Sequence, residues 1–194
     1  MNAKIDELLS NIRELQKELE ADLEQKRGEF RYRLDNHRAR FEQDILALHR
    51  KLRVGSLRYL LDAPALFILT APVIYGAIFP MLLLDLTVSV YQAICFSVYK
   101  IPKVRRADHF IYDRHLLPYL NWIERMNCLY CSYGNGLMSY SREIVARTEQ
   151  YWCPIKHSRN LHDPHRRYNN FFDYGDVERF RAELEQLRKN YPED

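Results

Sequence analysis

The chain has 194 residues and a formal charge of +3, enough for one ordinary domain. Cations and anions nearly balance over the first 50 residues, which excludes a nucleic-acid footprint there. The apolar residues are gathered into one block, Leu57 to Ile101, too long and too hydrophobic for a single element of a soluble core.

Residues 1–30 hold no continuous apolar run of the signal-peptide kind, so membrane insertion is expected to rest on the internal block. Residues 1–56 read as a helical arm. Ile5, Leu8, Ile12, Leu15 and Leu19 recur in alternating steps of three and four, as a coiled-coil seam requires. A second seam follows in another phase, Leu34, Phe41, Ile45, Leu48 and Leu52. Asp22 and Lys26 break the first seam, and Gly28 follows, so a stutter, a bend or a turn is expected there. A straight 50-residue helix would reach roughly 75 Å, which demands a partner chain or a folded-back seam. The stretch Phe30 to Phe41 interleaves aromatics with arginines, but Glu29 and Asp35 interrupt it and it reads as a solvated helix face.

Residues 57–101 read as a membrane hairpin. Arg50, Lys51, Arg53 and Arg58 precede the block, and Lys100, Lys103, Arg105 and Arg106 follow it. Cations on both borders put both flanks in the cytosol by the positive-inside rule and make the number of crossings even. Pro64 suits the start of the first arm, Pro72 a kink within it, and Pro80 the start of the second, with the tip at Gly76 to Pro80. The arms are then about 24 and 30 Å long against a hydrocarbon core of about 30 Å, so the pair either crosses twice or is re-entrant. Asp85 is either an interfacial acid or a paired group, and Thr87, Ser89 and Gln92 offer bonds across helices.

Residues 102–175 form a tyrosine-rich module. Ala107 to Cys128 reads as helix broken at Pro118, Gly134-Asn135-Gly136 as a turn, and Leu137 to Trp152 as a second helix stopped by Pro154. Its aromatic rings suit either a membrane interface or an ordinary core. His157 to Tyr174 reads as a polar loop, and residues 176–194 as an Asp176-capped amphipathic helix with a tail.

Cys128, Cys131, Cys153 and His157 form a CxxC and a CxxxH, two pairs each beside a turn-forming residue. Four such ligands suit a tetrahedral metal, zinc first and an iron–sulfur cluster second. The alternatives are buried structural thiols and a reversible dithiol, although the strand–CxxC–helix setting of a thioredoxin is missing. His162, Asp163, His165, Glu124, Glu143 and Glu149 are further possible ligands that read more simply as solvated side chains. No nucleotide loop, HExxH, GxSxG or paired-carboxylate motif is present.

Residues 119–157, from YLNWIERMNCLYC to EQYWCPIKH, resemble a small uncharacterised family of bacterial two-helix membrane proteins. The resemblance implies a bacterial inner-membrane setting and carries no activity. The expectation is thus an all-α protein with a coiled-coil arm, a membrane hairpin and a Cys3His module. Its expected function is non-enzymatic: a membrane-anchored, metal-binding accessory protein with both termini cytosolic. A coiled-coil scaffold without metal and a CxxC thiol oxidoreductase are the alternatives. Membrane lipid and a second copy or coiled-coil partner are the expected partners.

Overall fold

A computed structural model describes the backbone of residues 3–30, 32–35 and 38–191, and their side chains except at 3–6, 8, 9, 13, 27 and 32–40. The fold is mostly helical, with one two-stranded sheet among the described residues. The chain divides into two compact units: residues up to Leu61 together with Asp113–Arg125, and Asp62–Tyr112 together with Met126 onward.

The first unit opens with α1 (Ala3–Glu29), a continuous helix through Gly28. Ile12, Leu15, Leu19 and Leu23 are exposed along it; Ile5 and Leu8 of the expected seam lie outside the described side chains. The second helical seam does not form. Strands β1 (Tyr32–Asp35) and β2 (Arg38–Phe41) pair antiparallel, Tyr32 opposite Phe41 and Asp35 opposite Arg38. The physical reason is in the sequence, because Phe30 to Asp35 alternates large apolar with charged residues and a two-residue period is that of a strand. Helices α2 (Gln43–Lys51) and α3 (Ser56–Leu61) follow. His49 of α2 stands edge-on between Phe41 at 5.1 Å and Tyr119 at 5.2 Å.

The helix expected over Ala107 to Cys128 is replaced by two short 3-10 turns, Arg106–Asp108 and Arg114–Leu116. Pro118 forces its predecessor Leu117 into an extended conformation (φ −61°, ψ 126°). Helix begins only at α7 (Trp122–Trp152). Its start is a reciprocal cap: the Glu124 backbone N–H donates to Asn121 Oδ1 at 3.1 Å, and the Asn121 N–H donates to Glu124 Oε2 at 2.8 Å.

In the second unit, α4 (Ala65–Gly76), α5 (Ile78–Tyr91), a π-turn (Gln92–Phe96) and α6 (Ser97–Tyr99) make one helical run of 35 residues. It is roughly 52 Å long at 1.5 Å per residue. The hairpin tip expected at Gly76 to Pro80 is not a reversal. Ala77 keeps right-handed helical angles (φ −63°, ψ −10°) and its N–H still reaches the Ile74 carbonyl. Pro80 has no N–H for the Gly76 carbonyl, so it interrupts the ladder without turning the chain back. Among the described residues there is therefore one apolar helix long enough to cross a membrane.

Helix α7 runs parallel to this helix. Tyr130 donates to the Ile74 carbonyl at 2.6 Å, Tyr133 to Asp85 at 3.0 Å and Gln92 to Tyr140 at 2.8 Å, and Tyr99 stacks near Tyr151 at 5.3 Å. The core of the unit lies toward the C-terminal end of this pair, where Phe96, Ile101, Val104, Tyr140 and Ile144 are buried together. The Gly134-Asn135-Gly136 turn is not formed, and α7 passes straight through. Both glycines serve close packing instead. A Cβ on Gly136 would stand 2.7 Å from Phe110 Cδ1, and one on Gly134 would meet Met81 at 3.5 Å. At the chain's far end, α8 (Val177–Lys189) starts as expected from Asp176, whose carboxylate accepts the Arg179 N–H at 3.1 Å.

Candidate functional site

Continuity of α7 separates the four residues expected to share a metal. Cys128 and Cys131 lie one turn apart in its first half, and Cys153 follows its last residue. The separation of 22 residues from Cys131 to Cys153 amounts to roughly 33 Å of helix, an order of magnitude beyond a metal–ligand bond. His157 is turned to Tyr168, its ring stacked at 6.2 Å and its backbone N–H donating to the phenol oxygen at 2.6 Å. Burial, then the Glu149 carboxylate, push the Cys153 thiol above its ordinary pKa, the opposite of what a thiolate ligand or nucleophile requires. Among the described residues no three His, Cys, Asp or Glu side chains are placed to hold a metal ion. Three of the other possible ligands are paired elsewhere: Asp163 with Arg142 at 3.1 Å, and His165 Nε2 with Glu149 at 3.0 Å.

What the fold does bring together is a seam of polar groups on the packed side of the apolar helix. Asp85 receives both terminal nitrogens of Arg106, with Arg106 NH2 at 2.9 Å from Oδ2, and also the Tyr133 hydroxyl and Ser89 Oγ at 3.2 Å. The Arg106 guanidinium in turn lies over the Phe110 ring, 4.5 Å from its centre, and 5.2 Å from that of Tyr140. Of the residues expected to bond between helices, Thr87 instead bonds the Leu83 carbonyl of its own helix at 2.7 Å.

About two turns beyond Asp85 the π-turn widens the helix, and buried Gln92 reads the backbone of the returning chain. The Val104 N–H donates to its Oε1 at 2.6 Å, while its Nε2 donates to Tyr140 Oη. π-turns are rare and recur at functional positions; here the extra residue aims an amide that would otherwise be left unpaired in an apolar setting.

No family model, no curated protein and no solved structure matches this chain.

A second polar cluster sits behind α7. Glu143 Oε1 accepts from Arg147 Nε at 2.7 Å and Arg167 Nε at 2.8 Å. Arg147 also donates to the Pro102 carbonyl at 2.9 Å. Gln150 Nε2 then reaches the Leu187 and Asn190 carbonyls at 3.0 and 2.8 Å, satisfying the C-terminal end of α8. Burial pushes the Glu143 carboxyl up, but the hydrogen bonds from Arg147 and then Arg167 outweigh it and hold the group below its ordinary value. Read from sequence, Glu143, Arg147 and Gln150 are polar positions on a helix surface. The signal that marks them is their spacing of four and three, which places them on one face beside buried Tyr140 and Ile144.

Proposed function

We propose that this protein is a non-enzymatic scaffold held on one side of a membrane, with α1 as its assembly arm. The observation that carries the reading is the exposure of the apolar helix. From Ala65 to Tyr75 every residue but Ala71 is exposed, and beyond it Phe79, Leu82, Leu83, Leu86, Val90, Ile94 and Val98 leave an open apolar stripe. Such a surface is far larger than a water-soluble monomer exposes without a partner. Its opposite face from Asp85 onward is occupied by Arg106 and the chain around it, which hydrocarbon would not accept. A helix apolar all round at one end and on one side at the other fits entry into a single leaflet, with the basic residues that follow it, Lys100, Lys103 and Arg105, at the headgroups.

This keeps both termini on the cytosolic face, in a bacterial inner membrane as the family resemblance implies. The second copy of the chain is the partner that suits α1, whose Ile12, Leu15, Leu19 and Leu23 are 51%, 63%, 59% and 46% exposed. Burying such a stripe supplies most of the stability of a surface helix. The test is sidedness. Single cysteines at Ser10 and Ser158, in a chain with its native cysteines replaced, are labelled with a membrane-impermeant maleimide in spheroplasts and in inverted vesicles. Both labelled only in inverted vesicles, with the protein resisting carbonate extraction, is the expected result. Label on opposite sides, or release by carbonate, overturns it.

A further inference from the structure

Three segments of the second unit converge on an open cleft of about 650 Å³, within the range of small-molecule sites. Three guanidinium groups border it, Arg105 from the chain after α6, Arg142 from α7 and Arg166 from the loop before α8. Arg142 fixes that loop by donating to the Asp163 carbonyl at 2.7 Å. Arg105 is held only at 3.7 Å by exposed Asp108, and Arg166 has no carboxylate partner among the described residues. Exposed pairs of this kind are worth little and exchange readily for a better anion. His109 Nδ1 and Ser139 Oγ, 2.8 Å apart on the same wall, supply further polar contacts.

The cleft is not simply cationic. Asp108, Asp163 and Glu143 also line it, and carboxylates disfavour a bare polyanion while accepting hydrogen bonds from hydroxyls. A guanidinium fork matches a phosphate oxygen pair. Together these call for a ligand that carries both an oxyanion and hydroxyls. We propose that this cleft binds a small phosphorylated polyol, its phosphate on Arg105 and Arg166 and its hydroxyls toward Asp163 and Glu143. The chemistry is shared by a soluble ester and by a phosphoglycerol lipid headgroup.

Titration calorimetry on the full chain in phosphate-free detergent tests it, with glycerol 3-phosphate, inorganic phosphate and glycerol as soluble probes. Dihexanoyl phosphatidylglycerol and dihexanoyl phosphatidylcholine are the lipid probes. Glycerol 3-phosphate or phosphatidylglycerol is expected to bind, each at least about tenfold better than its control, inorganic phosphate or phosphatidylcholine, because the controls lack one of the two recognised groups. Saturation by the ester assigns a soluble ligand, and saturation by phosphatidylglycerol alone assigns the headgroup. Arg166→Gln should weaken binding about tenfold through loss of the charged fork, and Ser139→Ala gives an independent reading should the first variant fail to fold. Binding of neither probe, equal binding of the control, or affinity unchanged in both folded variants overturns the proposal.

Discussion

Gly134 and Gly136 share one helix and face different neighbours, so alanine should move stability in opposite directions at the two positions. At Gly134 the added methyl meets Met81 at an ordinary 3.5 Å, and Gly134→Ala is expected to stabilise by up to about 1 kcal/mol through helix propensity. At Gly136 it would collide with the Phe110 ring at 2.7 Å and approach the His109 carbonyl at 3.1 Å. Gly136→Ala should therefore destabilise by about 1–3 kcal/mol, the usual cost of overpacking. Thermal or chemical denaturation of the two variants reads the difference, and a loss of equal size at both positions would contradict the packing account. Glu143 offers a residue-scale prediction in pH. Its folded-state value lies below the ordinary 4.5, so its contribution is complete above that pH and drains away as pH falls through the depressed value. Glu143→Gln should lose about 2–4 kcal/mol near neutrality, since two arginines lose their carboxylate, and should unfold with a shallower acid limb. A parallel acid limb in both proteins would count against it.

At the level of elements, the arm is the clearest case for test. Leu15→Lys with Leu19→Lys puts two charges on the exposed seam of α1, and the chain in mild detergent is expected to drop from an oligomer to a monomer by light scattering. Both forms should keep the same thermal transition for the second unit, since neither residue belongs to it. A monomer before mutation would defeat the arm's assigned role. Helices α1 and α8 were legible in sequence because their signals are local: a seam in one, the Asp176 cap in the other. The β1–β2 hairpin was masked by a helical seam that happened to pass through Leu34 and Phe41, although the alternation of Phe30 to Asp35 spoke for strands. Gly134-Asn135-Gly136 read as a turn because glycine signals freedom of the backbone and absence of a side chain alike. Only the position of Phe110, remote in sequence, tells which applies.

For the whole molecule, the reading of that turn also sets how far the CxxC stands from the CxxxH. With a turn, the CxxC is free of the line of the helix that follows; with one continuous helix, it lies in the first half of α7 and the CxxxH beyond its last residue. The Asp85–Arg106 pair was hidden for a related reason, because Arg106 read as a border cation and no local pattern says that the chain doubles back along the helix it has just left. The double-mutant cycle of Asp85→Ala and Arg106→Ala should give a coupling of about 1–3 kcal/mol, smaller than for a fully buried pair because Arg106 is 46% exposed. Additive losses would mean that the pair is incidental to holding the chain against the helix. The apolar helix was readable as a membrane segment from composition, while its continuity through Ala77 rests on backbone angles that Gly76 and Pro80 disguised.

The parallel run of α7 beside the apolar helix sets a timetable for biosynthesis. Gln92 leaves the ribosome 48 residues before its partner Tyr140, a delay of roughly 2–10 s at ordinary elongation rates. Through that interval the helix from Ala65 to Tyr99 has neither α7 nor the core around Phe96 and Ile144 to cover it. A receiving surface can therefore engage the nascent helix on every side during that interval, whereas once α7 has docked only the stripe that stays exposed is open to it.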